Sequence, residues 1–165
     1  METHSHRGKA LVGNDPGGAG GALSFAYFDT SAVVKRYVLE PGSLQVRGWL
    51  RRHDFLSSAI TPVEILSALG KRKQSGELSE KNFTAAIRRV GSDRTRWELI
   101  ELGAVVLNRA EEIIQQGPMR ALDAIHIASA LAFQTAAGRR IPFLTGDRRQ
   151  REAAERMSLE VIWIG

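Results

Sequence analysis

The sequence predicts an α/β protein, a three-layer α/β/α sandwich around a central, mostly parallel twisted sheet. Three observations predict it. Short apolar runs bounded by turn residues recur at 25–28, 55–60, 97–102, 141–145 and 159–164. Between each run and the next lies at least one stretch with apolar residues at helical spacing, the alternation that produces crossover connections between parallel strands. A length of 165 residues, 43% hydrophobic and 25% charged, suits one ordinary globular domain with a real core.

Taken in order, residues 1–22 come first, with six of the sixteen glycines and no periodicity. They read as a flexible Gly-rich leader, so the folded domain is expected at 23–165. The leader glycines form no phosphate loop, because no GK[ST] follows and the segment precedes the first strand. His4 and His6 within it are expected to hold no metal. Phe25-Ala26-Tyr27-Phe28 is an apolar strand ending at Asp29. A helix follows, with Val33, Val34, Tyr37 and Val38 on one side, closed by Glu40-Pro41-Gly42. A second helix spans about 43–53, and 55–60 is a strand. Thr61-Pro62-Val63-Glu64 opens a helix to about Gln74, and Ser79 starts another with Phe83, Ala86, Ile87 and Val90 at helical spacing. After the strand at 97–102, helices at about 104–116 and 119–137 are split by Gly117-Pro118. A strand at 141–145, a helix at 148–157 and a strand at 159–164 complete the chain. Trp49, Phe83 and Trp97 belong either to the core or to a dimer surface, which periodicity does not distinguish.

Composition narrows the function. No cysteine is present, which removes disulfides, thiolate metal sites and Cys nucleophiles, and suits a reducing cytoplasm. No apolar run approaches the roughly 18 residues of a membrane span. Lys and Arg total 23 against 18 Asp and Glu. The leader holds two of each sign, so the basic excess belongs to the folded part. A basic body favours a polyanionic partner, nucleic acid first, although a merely soluble surface would look the same.

Functional groups of open parallel sheets gather beyond the carboxyl ends of the strands. Asp29 ends the first strand, Glu64 lies four residues past Ile60, and Asp147 follows the strand at 141–145 through Thr145-Gly146. If those strands are neighbours, the three carboxylates share one edge. Asp123 comes from a helix whose polar positions 120, 123, 126 and 129 form one stripe on an otherwise apolar surface. A half-buried acid there requires a partner or a cation.

Each acid also has an ordinary structural role. Glu64 matches a capping box with Thr61, Asp29 and Asp147 precede helices as N-caps would, and Asp123 could pair with Arg120 or His126. Their joint placement is what points to a site. Four crowded carboxylates call for a hard divalent cation, Mg²⁺ or Mn²⁺, in preference to zinc, since no His cluster accompanies them. Such a cation activates water for attack on a phosphodiester. The hydroxyls of Ser31 and Thr145 stand beside the acids and could orient a carboxylate or a water, or equally serve as caps.

These residues resemble the PIN-domain family, particularly the VapC-type toxins of type II toxin–antitoxin pairs. The likeness rests on four blocks in order, FDTSAVVKRYVLEPGS, SSAITPVEILSAL, RALDAIHIASAL and FLTGDRRQREAA, and runs from about Ala26 to Ile164. The resemblance implies a PIN-like fold and an acidic quartet of Asp29, Glu64, Asp123 and Asp147, with Ser31 or Thr145 as the hydroxyl beside the metal. It also implies Mg²⁺- or Mn²⁺-dependent endonucleolytic cleavage of RNA, commonly tRNA or rRNA, a homodimer, and neutralisation by a cognate VapB-type antitoxin. Members usually begin almost at the first strand, so the resemblance makes the leader an unusual extension or the chain start misplaced.

Basic residues surround the presumed cleft, namely Lys35, Arg36, Lys71, Arg72, Lys73, Arg120, Arg148, Arg149 and Arg151. Arg120, Arg148 and Arg149 are the candidates for holding the RNA backbone; solvated helix surface, or a seat for an acidic antitoxin segment, is the other reading for the pair after Asp147. Two competing functions remain at this stage. One is another metal-dependent nuclease or phosphatase acting on DNA or small phosphate esters. The other is a noncatalytic nucleic-acid-binding module, against which the complete quartet argues.

Overall fold

The computed structural model describes residues 24–165, and the leader expected at 1–22, with His4 and His6, lies outside them. Five strands form: β1 (Phe25–Phe28), β2 (Asp54–Ser58), β3 (Glu98–Ile100), β4 (Pro142–Thr145) and β5 (Glu160–Trp163). They make one sheet in the order β3-β2-β1-β4-β5, and every pairing is parallel.

Alternation along the strands divides the apolar side chains between two faces. Ala26, Phe28 and Leu144 go to one core; Tyr27, Leu56 and Phe143 go to the other. The first face is covered by α1 (Thr30–Val33), α2 (Ser43–Arg52), α3 (Thr61–Gln74) and α4 (Glu80–Arg94) through Val33, Val46, Ile65, Leu69 and Val90. The second is covered by α5 (Ala104–Gln115), α6 (Ala121–Ala137) and α7 (Arg148–Arg156) through Val106, Ile113, Ile127 and Ala154. This is the three-layer arrangement the alternation predicts. Each fully buried large side chain contributes about 1.5–3 kcal/mol. Trp49, Phe83 and Trp97 pack partly buried against the first core. Trp97 also stacks on Phe55 with ring centroids 4.6 Å apart.

The chain order makes the site. From β1 it steps outward to β2 and β3, then returns through α5 and α6 to β4 on the other side of β1. The helices that follow β1 and β4 lie on opposite faces, so a crevice opens at the carboxyl ends of these two strands. Because α6 leads into the amino end of β4, its own N-terminus lies back at that edge.

Element boundaries differ from the sequence pattern in three places. The first helix is one α turn, continued only by a 3-10 turn at Val34–Arg36. Beyond it the Ser43 hydroxyl accepts the Glu40 N–H at 3.0 Å and donates to the Val38 carbonyl at 3.0 Å, taking up groups a longer helix would pair. The strands around Ile60 and Trp97 are shorter than their apolar runs, ending at Ser58 and starting at Glu98. Helix α6 starts at Ala121, since Arg120 is extended, with φ −71° and ψ 142°.

Candidate active site

Asp29 leaves β1 in extended conformation and caps α1. Its Oδ1 accepts the Ala32 N–H at 2.9 Å and the Ser31 hydroxyl at 2.7 Å; its Oδ2 accepts the Thr145 hydroxyl at 2.6 Å. Both predicted hydroxyls therefore serve one carboxylate, which is only 4% exposed. The two hydroxyls also receive backbone N–H groups from the turn after β4: Ser31 Oγ from Gly146 at 2.8 Å, Thr145 Oγ1 from Asp147 at 3.1 Å. The ends of β1 and β4 are thereby stitched together, reinforced by the Asp29 N–H donating to the Leu144 carbonyl at 3.0 Å.

Only glycine fits at position 146. A Cβ there would lie 2.9 Å from the Ile164 carbonyl oxygen and 3.3 Å from that of Ser31. The turn so formed delivers Asp147 to the N-cap of α7, where Oδ1 accepts the N–H groups of Arg149 at 2.8 Å and Gln150 at 3.3 Å. Among the described residues, no hydrogen bond reaches its Oδ2. Asp29 and Asp147 are thus N-caps and members of the edge cluster at once; the two readings do not compete.

Glu64 does not form a capping box. Helix α3 is capped by the Ile60 backbone without a side-chain bond, and the Thr61 hydroxyl pairs with Ser57 at 2.6 Å. The Glu64 carboxylate crosses instead to α1 and α6, with Oε2 accepting the Thr30 hydroxyl at 2.6 Å and lying 2.7 Å from His126 Nε2. His126, 3% exposed, has its Nδ1 2.9 Å from the Tyr27 hydroxyl. Sequence reasoning missed Thr30, His126 and Tyr27 as parts of the site. The signals were His126 in the Asp123 stripe and a lone tyrosine in the apolar run of β1.

Asp123 stands in the first turn of α6, half-buried, and its backbone carbonyl accepts Gln150 Nε2 at 3.1 Å. Neither Arg120 nor His126 bonds its carboxylate, which has no hydrogen bond or ion pair among the described residues. Burial raises its pKa, and nearby Asp147 and, less, Asp29 push the same way against the opposing pull of Arg120. Burial also raises Asp29, offset in part by His126 and its hydroxyl donors. For Glu64 burial acts upward too, but the His126 and Thr30 bonds outweigh it and hold the carboxyl below its ordinary value.

The donor set fits a hard divalent cation electrostatically. Asp147 and Asp29 both act on Asp123 as neighbouring anions, and a cation would relieve that. They do not form a closed cage: among the described residues no three His, Asp or Glu side chains converge as a ready-made metal cluster. The predicted quartet is one neighbourhood of the fold, open in its geometry, with the Asp123 carboxylate and Oδ2 of Asp147 free of hydrogen bonds among the described residues.

Of the nine basic residues singled out, five are paired with carboxylates: Lys35 and Arg72 with Glu40, Arg36 with Asp93, Lys73 with Glu80, Arg151 with Glu155. Arg120, Arg148 and Arg149 are exposed and have no ion pair among the described residues. Arg120 and Arg149, joined by Arg156 and by the carboxylate-bearing Glu152, line a groove of about 690 Å³ between the start of α6 and α7, which Asp123 and Asp147 do not themselves line. Arg148 does not line it.

The chain has relatives among known proteins, and these bear on its family and fold. The pattern of the PIN domain family matches residues 26–156. Ribonuclease VapC46 of Mycobacterium tuberculosis is 34% identical over 141 residues, covering 85% of this chain and 98% of its own. Ribonuclease VapC35 of the same organism is 33% identical over 142 residues, covering 82% of this chain and 94% of its own. Among solved structures, a toxin–antitoxin complex from Klebsiella pneumoniae superposes with a TM-score of 0.61 at 15% identity, over 85% of this chain and 98% of that one.

Proposed function

The chain belongs to the PIN domain family, and from that premise we propose that it is a toxin-type endoribonuclease whose residues Asp29, Glu64, Asp123 and Asp147 form a divalent-metal site. The observation that carries the reading is the shared position of the four acids at the crevice between β1 and β4, with the Asp123 carboxyl raised by burial and by its anionic neighbours. The name ribonuclease on relatives about a third identical, one matched over 98% of its length, supports RNA as the substrate. Metal dependence is general in this family, and the all-oxygen donor set favours Mg²⁺ or Mn²⁺.

When bound, the cation would supply an activated water and neutralise charge on the scissile phosphodiester. The chain's own residues do the rest. Ser31 and Thr145 hold Asp29 by both oxygens, which fixes that carboxylate where β1 ends. Thr30 and His126 hold Glu64 across the crevice. Asp123 and Asp147 come from the N-termini of α6 and α7, where helix dipoles favour anions. Arg120 and Arg149 contact backbone phosphates from the neighbouring groove without reading sequence.

In this reading the nuclease domain is residues 23–165, the target is tRNA or rRNA, and a VapB-type antitoxin in the cytoplasm restrains the enzyme. Among the described residues no helix is long and apolar enough to cross a membrane. A homodimer is part of the same proposal, supported by Val63 and Leu66, 69% and 44% exposed one turn apart on α3.

The test is cleavage of RNA by the wild type and Asp123→Asn in Mg²⁺ or Mn²⁺. Wild-type cleavage, lost with EDTA and in the variant while its circular dichroism persists, is expected. Cleavage that survives EDTA would remove the metal, and cleavage by the variant would remove Asp123.

A further inference from the structure

His126 and Tyr27 lie outside the acidic quartet, yet they are joined to it by a continuous chain of hydrogen bonds. Tyr27 is fully buried in β1 between the sheet and α6, stacked on Phe143 with ring centroids 5.1 Å apart. Its phenol hydroxyl is available as a donor, and the atom 2.9 Å away is His126 Nδ1. A neutral imidazole that accepts at Nδ1 carries its proton on Nε2. That nitrogen lies 2.7 Å from Glu64 Oε2 and 3.2 Å from Thr30 Oγ1, whose own proton goes to the same carboxylate oxygen at 2.6 Å. Both donors fall on Oε2. Among the described residues Oε1 receives none.

We propose that His126 is a positioning residue for the metal site: Tyr27 fixes its tautomer, and His126 with Thr30 locks Oε2 of Glu64, leaving Oε1 as the oxygen offered to a divalent cation. The inference rests on the metal-site reading above and adds to it a chain that reaches Glu64 from β1 through α6. Glu64 lies in the first turn of α3, and the three residues that bind or support it come from three other places in the sequence. Partners behind the ligands of a metal site set orientation and basicity, and losing one typically lowers metal affinity by about 10–100-fold.

Two measurements on the full chain test this. The first is Mn²⁺ binding by electron paramagnetic resonance in the wild type, His126→Gln and His126→Asn, with circular dichroism to verify folding. A Gln amide nitrogen occupies nearly the place of Nε2, whereas an Asn amide reaches only as far as Nδ1. His126→Gln is expected to keep the affinity and His126→Asn to lose about tenfold or more. Equal losses in both variants, or no loss in His126→Asn, would overturn the proposal. The second is ¹⁵N NMR of the His126 ring in the wild type, which needs no variant to fold. An unprotonated Nδ1 with a protonated Nε2 is expected, shifting on Tyr27→Phe; a proton on wild-type Nδ1 would overturn the tautomer assignment. If the wild type itself binds no Mn²⁺, the metal-site reading fails and the positioning role fails with it. Wild-type binding with unaltered variants sinks the positioning role alone.

Discussion

At the scale of single residues, Asp123 holds a charge that its surroundings oppose. A carboxyl whose folded pKa lies above its unfolded value favours folding at low pH and costs stability as pH rises through the folded value. At neutral pH without divalent cation, Asp123→Asn is therefore expected to raise the melting temperature, by about 2–4 °C if the gain is near 1 kcal/mol. The difference should shrink on acidification. Added Mn²⁺ should reverse the order, raising the wild-type Tm with concentration and leaving the variant nearly still. A variant that melts lower in EDTA would mean the carboxylate is already satisfied. Asp123 was legible in the sequence because an acid in an otherwise apolar helix has few ordinary partners. Asp29 and Asp147 were legible from strand-end geometry. Glu64 was the acid most easily assigned to a cap, and its real partners, Thr30 and His126, are 34 and 62 residues away. No local pattern encodes such a pairing.

At the scale of elements, the crevice depends on how the first-face helices are tied together. Asp93 near the end of α4 accepts Arg36 Nε at 2.6 Å and the Tyr37 hydroxyl at 3.0 Å, joining α4 to the segment that leaves α1. Burial acts upward on Asp93, but Arg36 and Tyr37 outweigh it and hold the carboxyl below its usual range. Its contribution to stability is thus present above the unfolded carboxylate value and lost as pH falls through the lower folded one. Asp93→Ala is expected to cost about 2–3 kcal/mol at pH 7, read from urea unfolding. The gap from wild type should hold down to about pH 5 and close below about pH 4. A gap that stays constant to pH 3 would assign the loss to packing instead. Position 146 has its own expectation: Gly146→Ala, meeting the backbone oxygens of Ile164 and Ser31, is expected to lower both stability and cleavage. Restored cleavage with lowered stability would separate the turn from the site. Elements themselves were readable because short apolar runs bounded by turn residues alternate with stretches of helical spacing along the chain. Their ends were not, since the stop of the first helix is set by a Ser43 side chain acting on Val38 and Glu40.

At the scale of the whole molecule, a net charge of +5 favours a polyanionic partner but does not locate the surface that would meet it. Folding decides that, by pairing some cations and leaving others free. Lys35, Arg36, Arg72, Lys73 and Arg151 are taken up in ion pairs, which leaves Lys71 in the last turn of α3 and, next in sequence to the acids, the exposed Arg120, Arg148 and Arg149. Position then separates these three arginines: Arg120 and Arg149 share the groove, and Arg148 does not line it. Each phosphate contact releases counterions, so the logarithm of affinity falls with the logarithm of salt by about 0.7 per contact on a single strand. With cleavage stopped by EDTA, RNA binding measured across a salt series should show this directly. Arg120→Ala and Arg149→Ala are each expected to flatten the slope by about 0.7, and the double variant by about twice that, because separate phosphates contribute independently. Arg148→Ala, exposed but outside the groove, should leave slope and affinity as in the wild type. If Arg148→Ala flattens the slope and Arg149→Ala does not, the RNA runs over the Arg148 side of α7, and the groove lined by Arg120 and Arg149 has another occupant.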